Sequence, residues 1–241
     1  MRRLGCLLPV FVAVWIGLLP TGPSFATDAN LKTPEGAVAA YVDGVARQDF
    51  KAIVAVTPVD NMSKGFDFVF SVSRLGALSP TAPVPSSHPL FVEINKATFM
   101  AQIGQQVRIL TYGLMTTSKI LDGKYDVMDA DGAAEFARVV RADRLAGLSL
   151  VKVGIPDPAA LNNERNQANA TKLAKTYGAD ASTQRLALLS FEGLQFVVGF
   201  TLLRYGDDWT VMSQTSSVAA GTDSLGVPRR VTLEAFEEML K

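Results

Sequence analysis

The chain has 241 residues, with Lys+Arg and Asp+Glu balanced at 23 each. One cysteine (Cys6) and one histidine (His88) can build neither a Cys/His zinc site, nor a Cys–His catalytic pair, nor a disulfide. Apolar residues make up 48% and charged residues 19%, a globular composition without the basic excess of a nucleic-acid binder.

The first 26 residues read as an export signal. Arg2 and Arg3 form a basic start, and Leu4 to Leu19 is an apolar run interrupted at Pro9. Pro20, Gly22 and Pro23 end the run, and Ser24-Phe25-Ala26 places small residues at −3 and −1 of a cleavage point. The run is short of the ~20 residues of a membrane-spanning helix, so cleavage near Ala26 is expected over retention as an anchor. Removing Arg2, Arg3, Cys6 and Trp15 leaves residues 27–241 without cysteine, with 21 basic and 23 acidic residues. That segment is expected to be one α+β domain in the periplasm or outside the cell, held by its core alone. No later apolar run reaches membrane length. Asn61-Met-Ser63 and Asn169-Ala-Thr171 are formal glycosylation sequons, of consequence only in a eukaryotic source.

Thr33-Pro34-Glu35 starts a helix with a hydroxyl cap, a first-turn proline and an acid, and Val38, Tyr41, Val42 and Val45 form its apolar face. Asp49 caps a second, short helix that ends at Thr57-Pro58. Phe66, Phe68, Phe70 and Val72 alternate and predict a strand. Residues 79–89 carry prolines at 80, 83, 85 and 89 and predict a stiff loop. Phe99, Ile103, Val107, Leu110 and Leu114 predict a helix over 96–115, weakest at Gly104. Asp122-Gly123 predicts a hairpin turn. A helix from Asp131 to about Leu145 and a strand over 148–153 follow. Asp157-Pro158 and Gly178 bracket a polar helix. Strands are predicted over 184–191, 194–205 and from Trp209 onward, and a helix over 232–240.

The stretch Thr33–Val54, with its paired helices, and the hairpin of 194–205 and 209–218 resemble the nuclear-transport-factor-like superfamily. The resemblance implies an α+β fold in which N-terminal helices pack on a curved, mainly antiparallel sheet, here with extra helices inserted over 90–147 and 158–177. That superfamily holds isomerases, dehydratases and cyclases beside non-catalytic binding modules. Its ketosteroid-isomerase branch places an oxyanion-binding tyrosine on the first helix, which implies that role for Tyr41. The place of the partner aspartate falls near Gly65, with Asp67 two residues away. The dehydratase His-Asp pair needs a histidine on a helix or strand, whereas His88 stands in the proline-rich loop.

Other chemistry is sparse. No G-x-S-x-G elbow exists. Asp126, Asp129, Asp131 and Gly132 suggest a calcium loop, but an EF-hand frame puts Val127 and Arg138 where acids are required, so turns and caps explain them better. Arg138, Arg141 and Arg144, three apart on one expected helix, suit either an anion or a solvated face. The polar helix suits a docking surface or plain exposure. No cofactor or metal is expected. The expected function is an exported, non-enzymatic module that binds a small apolar ligand or an envelope protein, with Tyr41 as the ligand-facing candidate. The alternative is a pocket isomerase or dehydratase in which Tyr41 polarises a carbonyl. A homodimer through exposed strand edges is a further expectation.

Overall fold

The computed structural model describes residues 30–218 and 226–241. The predicted leader and its cleavage point therefore lie outside the described residues. Helix α1 spans Pro34–Ala46, and Thr33 Oγ1 accepts from the Gly36 N–H at 3.1 Å. Helix α2, Phe50–Ala55, is capped by Asp49 Oδ1 accepting from Ala52 N–H at 3.0 Å. Both starts stand where capping chemistry puts them. Helix α3 spans Val59–Gly65.

The strand predicted over 66–73 is a helix, α4, Phe68–Leu75. Asp67 Oδ1 accepts from the Phe70 N–H at 2.9 Å, and Gly76 closes the last turn at φ +64°. A residue with a Cβ rarely adopts that angle, so the glycine fixes the stop. These caps outweigh eight residues of alternation. The helical spacing brings Phe68, Ser71, Val72 and Leu75 to one side and leaves Val69 77% exposed.

Helix α5, Pro89–Met115, is 27 residues and starts earlier than predicted. His88 is its cap, with Nδ1 accepting from the Leu90 N–H at 3.1 Å, and Pro89 is its first residue. The predicted hairpin at Asp122-Gly123 does not form. A 3-10 helix over Lys119–Asp122 leads into residues 123–129, which pair with no strand. Asp126 anchors this arm, accepting from Ser118 Oγ at 2.7 Å and from the Lys119 N–H at 3.1 Å. The helix predicted to reach Leu145 is shorter, α6, Ala130–Val139, followed by a 3-10 helix over Ala142–Gly147. Extended angles at Arg141 separate them.

Strand β1 is Leu148–Gly154. The single polar helix predicted over 158–177 is two helices, α7 Pro158–Leu161 and α8 Glu164–Thr176. Asn163 caps the second through the Asn166 N–H, while Asn166 Nδ2 and Gln167 Nε2 donate back to the carbonyls of Ala160 and Leu161. The polar residues thus build the joint between α7 and α8. Strands β2 (Ala181–Phe191), β3 (Leu194–Tyr205) and β4 (Asp208–Ser213) follow as an antiparallel meander. A short β5, Arg229–Arg230, also pairs with β3, and α9, Leu233–Glu238, ends the chain.

The architecture is α+β, with helices against an open, antiparallel sheet of order β1-β2-β3-β4. The central strands are buried on both faces. Ala187, Leu189 and Phe191 of β2 and Phe196, Val198, Phe200 and Leu202 of β3 pack on α1 and α5. The alternate residues Leu186, Leu188 and Val197 pack under Phe236 of α9. Both sheet edges are modified. The N–H groups of Trp209 and Val211 on β4 donate to the carbonyls of Leu31 and Val56. Strand β1 carries a bulge between Leu150 and Lys152, and Lys152 pairs with Glu237 at 2.7 Å.

Arg185 ties α1 to the sheet from an inward-facing position on β2. Its Nε meets Glu35 Oε1 at 2.5 Å, and its Nη1 donates to Thr183 Oγ1 and to the Gln184 carbonyl. Partial burial pushes the Glu35 carboxyl up, but the bond from Arg185, a backbone N–H and the Arg185 charge together hold it below 4.5. A lowered carboxylate contributes stability that is present above the ordinary carboxylate range and is lost as pH falls through the folded value. Urea midpoints should therefore fall more steeply between pH 5 and pH 3 in the native chain than in Glu35→Gln. Parallel profiles would remove this pair from the acid response.

Candidate functional site

Two places concentrate unusual chemistry: a polar network inside the core, and an apolar pocket at the edge of α4. The network starts at Tyr41, which α1 points into the core with no exposure. Its ring meets Phe200 edge-on at 5.8 Å between centroids. Its hydroxyl donates to Gln214 Oε1 at 2.8 Å. Gln214, also without exposure, follows β4; its Nε2 donates to the Gln106 carbonyl on α5 at 2.9 Å, and its backbone N–H donates to Gln106 Oε1 at 3.2 Å. One glutamine therefore links α1, α5 and the end of the sheet. Gly226 closes over it at φ +78°, where an added Cβ would stand 2.5 Å from the Gln214 carbonyl oxygen. Burial pushes the Tyr41 hydroxyl far above its ordinary value of 10.0, so it is a neutral donor.

The pocket is a cavity of about 330 Å³ between α4 and the loop that follows it. Phe66, Phe68, Val72 and Leu75 form one wall, and Ala77, Leu78 and Ala82 the other. Leu75 and Leu78 remain 61% and 63% exposed at its margin. The loop is held in place. Buried Asn95 of α5 accepts from the Val84 N–H and donates to the Val84 carbonyl, both at 2.8 Å, and Ser86 Oγ donates to the Ser63 carbonyl at 2.8 Å. Prolines 80, 83 and 85 stiffen the span before that anchor. A second, more polar groove of about 380 Å³ runs between α8 and the start of β2, lined by Gln167, Thr171, Lys175, Asp180 and Ser182 among others.

The remaining sequence candidates do local work. His88 and Asp67 are helix caps. Asp129 caps α6 through the Gly132 N–H at 2.8 Å. Arg138, Arg141 and Arg144 do not share a helix, and each has its own carboxylate: Glu135, Asp143 and Glu192 respectively. Among the described residues, no group of three or more His, Cys, Asp or Glu side chains is placed to hold a metal, and no helix is long and apolar enough to cross a membrane. Gln214, Gln106 and Asn95 were not singled out by the sequence. Residues 106 and 214 meet only through the fold, so no local spacing marks them.

No family model matches the sequence, and no curated protein matches it significantly. Among solved structures it is similar to a cystatin-like protein from Ruminococcus gnavus ATCC 29149, at 12% identity and a TM-score of 0.56. The match covers 82% of this chain and 44% of that one, so the chain aligns to less than half of its neighbour's length. The likeness is one of fold. A cystatin-like fold is related to the nuclear-transport-factor-like α+β cone, which supports the resemblance of the helix pair and hairpin at the level of architecture.

Proposed function

We propose that this chain is an exported, non-enzymatic binding protein that takes a small apolar molecule in the α4 pocket. The observation that carries the reading is an apolar cavity between α4 and a loop that is anchored just beyond it, at Val84 and Ser86. A volume of about 330 Å³ lies at the low end of small-molecule sites, which calls for a compact ligand. The anchors at Val84 and Ser86 and the three prolines shorten the free span of the loop, which lowers the ordering cost of binding. Exposed Leu75 and Leu78 lose water when the pocket fills. In this reading Tyr41 orders the core through Gln214 and does not touch the ligand.

The test is fluorescence titration of the chain with 1-anilinonaphthalene-8-sulfonate. Saturable 1:1 binding is expected, together with its loss in Ala77→Trp at an unchanged urea midpoint. Absence of saturable binding, or equal binding by Ala77→Trp, would overturn the assignment of the pocket. Turnover of a carbonyl substrate that disappears in Tyr41→Phe would favour the isomerase or dehydratase alternative.

A further inference from the structure

Helix α5 leaves one long face uncovered. Its buried stripe is Phe99, Ile103, Leu110 and Leu114. The opposite stripe is Leu90, Ile94, Ala97, Ala101, Gln105 and Arg108, all exposed. Leu90 and Ile94 are 59% and 43% exposed, and neighbouring Phe91 37%. An apolar patch therefore occupies the N-terminal end of this face.

A second apolar group lies past the other end of the same helix. Tyr125 and Val127, on the arm anchored by Asp126, are 97% and 95% exposed, and Met128 is 40% exposed. The excursion that carries them wraps onto the outer side of α5, because Phe136 of α6 meets Tyr112 edge-on at 5.2 Å. Tyr112 continues the outer stripe one turn beyond Arg108. The 27 residues of α5 span about 40 Å, so the arm of one chain is far from the Leu90–Ile94 patch of that chain.

We infer that two copies of this chain pair antiparallel along α5, about a two-fold axis near Ala101, so that the Tyr125–Val127 arm of each covers Leu90, Phe91 and Ile94 of the other. The charges fit this arrangement. Glu93 and Arg108 lie eight residues before and seven after Ala101, so the axis brings each Glu93 to the partner's Arg108. Neither has an ion pair within 4.0 Å among the described residues; Lys96, one turn from Glu93, bonds Asp60 at 2.7 Å and feels the Glu93 charge only at longer range. Ala97 and Ala101 let the helix backbones approach at the axis. An antiparallel pair is self-complementary and closed, so it does not propagate into a filament. The pairing does not use the sheet edges, where β4 is occupied by Leu31 and Val56 and β1 is bulged. It is independent of the α4 ligand reading.

Sedimentation equilibrium on the chain at low salt tests the pairing. The native chain should show a dimer. Glu93→Arg and Arg108→Glu should each weaken it at least about tenfold by placing like charges opposite one another, and the double swap should restore it. Ala101→Glu, which brings two carboxylates together at the axis, should give monomers with an unchanged circular dichroism spectrum. With Cys6 replaced by serine, Ala101→Cys is the one cysteine of the chain and should cross-link to its own copy with a short bis-maleimide. A monomeric native chain overturns the inference. So does a dimer that survives both single swaps, or one that the double swap fails to restore.

Discussion

Replacing Phe200 by alanine should destabilise the fold by about 3–5 kcal/mol, the range for removing a buried aromatic side chain from a packed core. Phe200 has no exposure and sits on the inward face of β3, between the Tyr41 ring and the rest of the helix–sheet core. Neighbours on a rigid central strand relax little, because β2 pairs with β3 along its full length and α9 closes the reverse face. The loss therefore combines transfer free energy with the cavity left behind. Urea unfolding followed by circular dichroism should show a large fall in midpoint with an unchanged slope. Leu194→Ala, at the exposed start of the same strand, is the matched control and should cost less than about 1 kcal/mol. Equal shifts in the two variants would mean that the inward face of β3 is not the centre of the core.

Elements governed by local chemistry were legible in the sequence. Thr33-Pro34, Asp49 and Thr232 cap helices because a side-chain oxygen reaches an N–H three residues on, a rule that needs no knowledge of the fold. The alternation of 194–205 was legible because it is long and ends in a turn. The alternation of 66–73 was too short to decide between periods, and Asp67 and Gly76 mark a helix start and stop that fit it equally well. The split between α7 and α8 depends on side-chain bonds from Asn166 and Gln167 to carbonyls, which polar composition does not specify. The pocket was illegible for a stronger reason. Its walls come from a helix whose sequence alternates like a strand and from a loop anchored through Asn95, a residue that looks like any polar helix position until its burial is known. Tyr41 stood out in the sequence, but its partner Gln214 is 173 residues away.

That partnership yields the second large effect. Gln214→Leu should cost about 2–4 kcal/mol, since it strands the Tyr41 hydroxyl in the core and removes the bond to the Gln106 carbonyl. Tyr41→Phe should cost about 1–3 kcal/mol by leaving Gln214 Oε1 without its donor. The double variant should cost less than the sum by about 1–2 kcal/mol, because with both groups gone no polar atom of the pair is left buried and unmatched. Simple additivity would mean that the two side chains do not act as a unit. The pH dependence carries a signature that packing alone does not give. Burial keeps the Tyr41 hydroxyl protonated in the fold well above its ordinary range. The linked stability is fully present below pH 10, and it is lost as pH rises from there toward the folded value. Tyr41→Phe should flatten this alkaline decline, while the partly buried Tyr177 and Tyr205, both also raised, continue to contribute in each background. If the hydroxyl serves only the core, the same variant leaves binding at the α4 pocket unchanged. A Tyr41→Phe chain that keeps its alkaline profile yet loses ligand would move the site from α4 into the core.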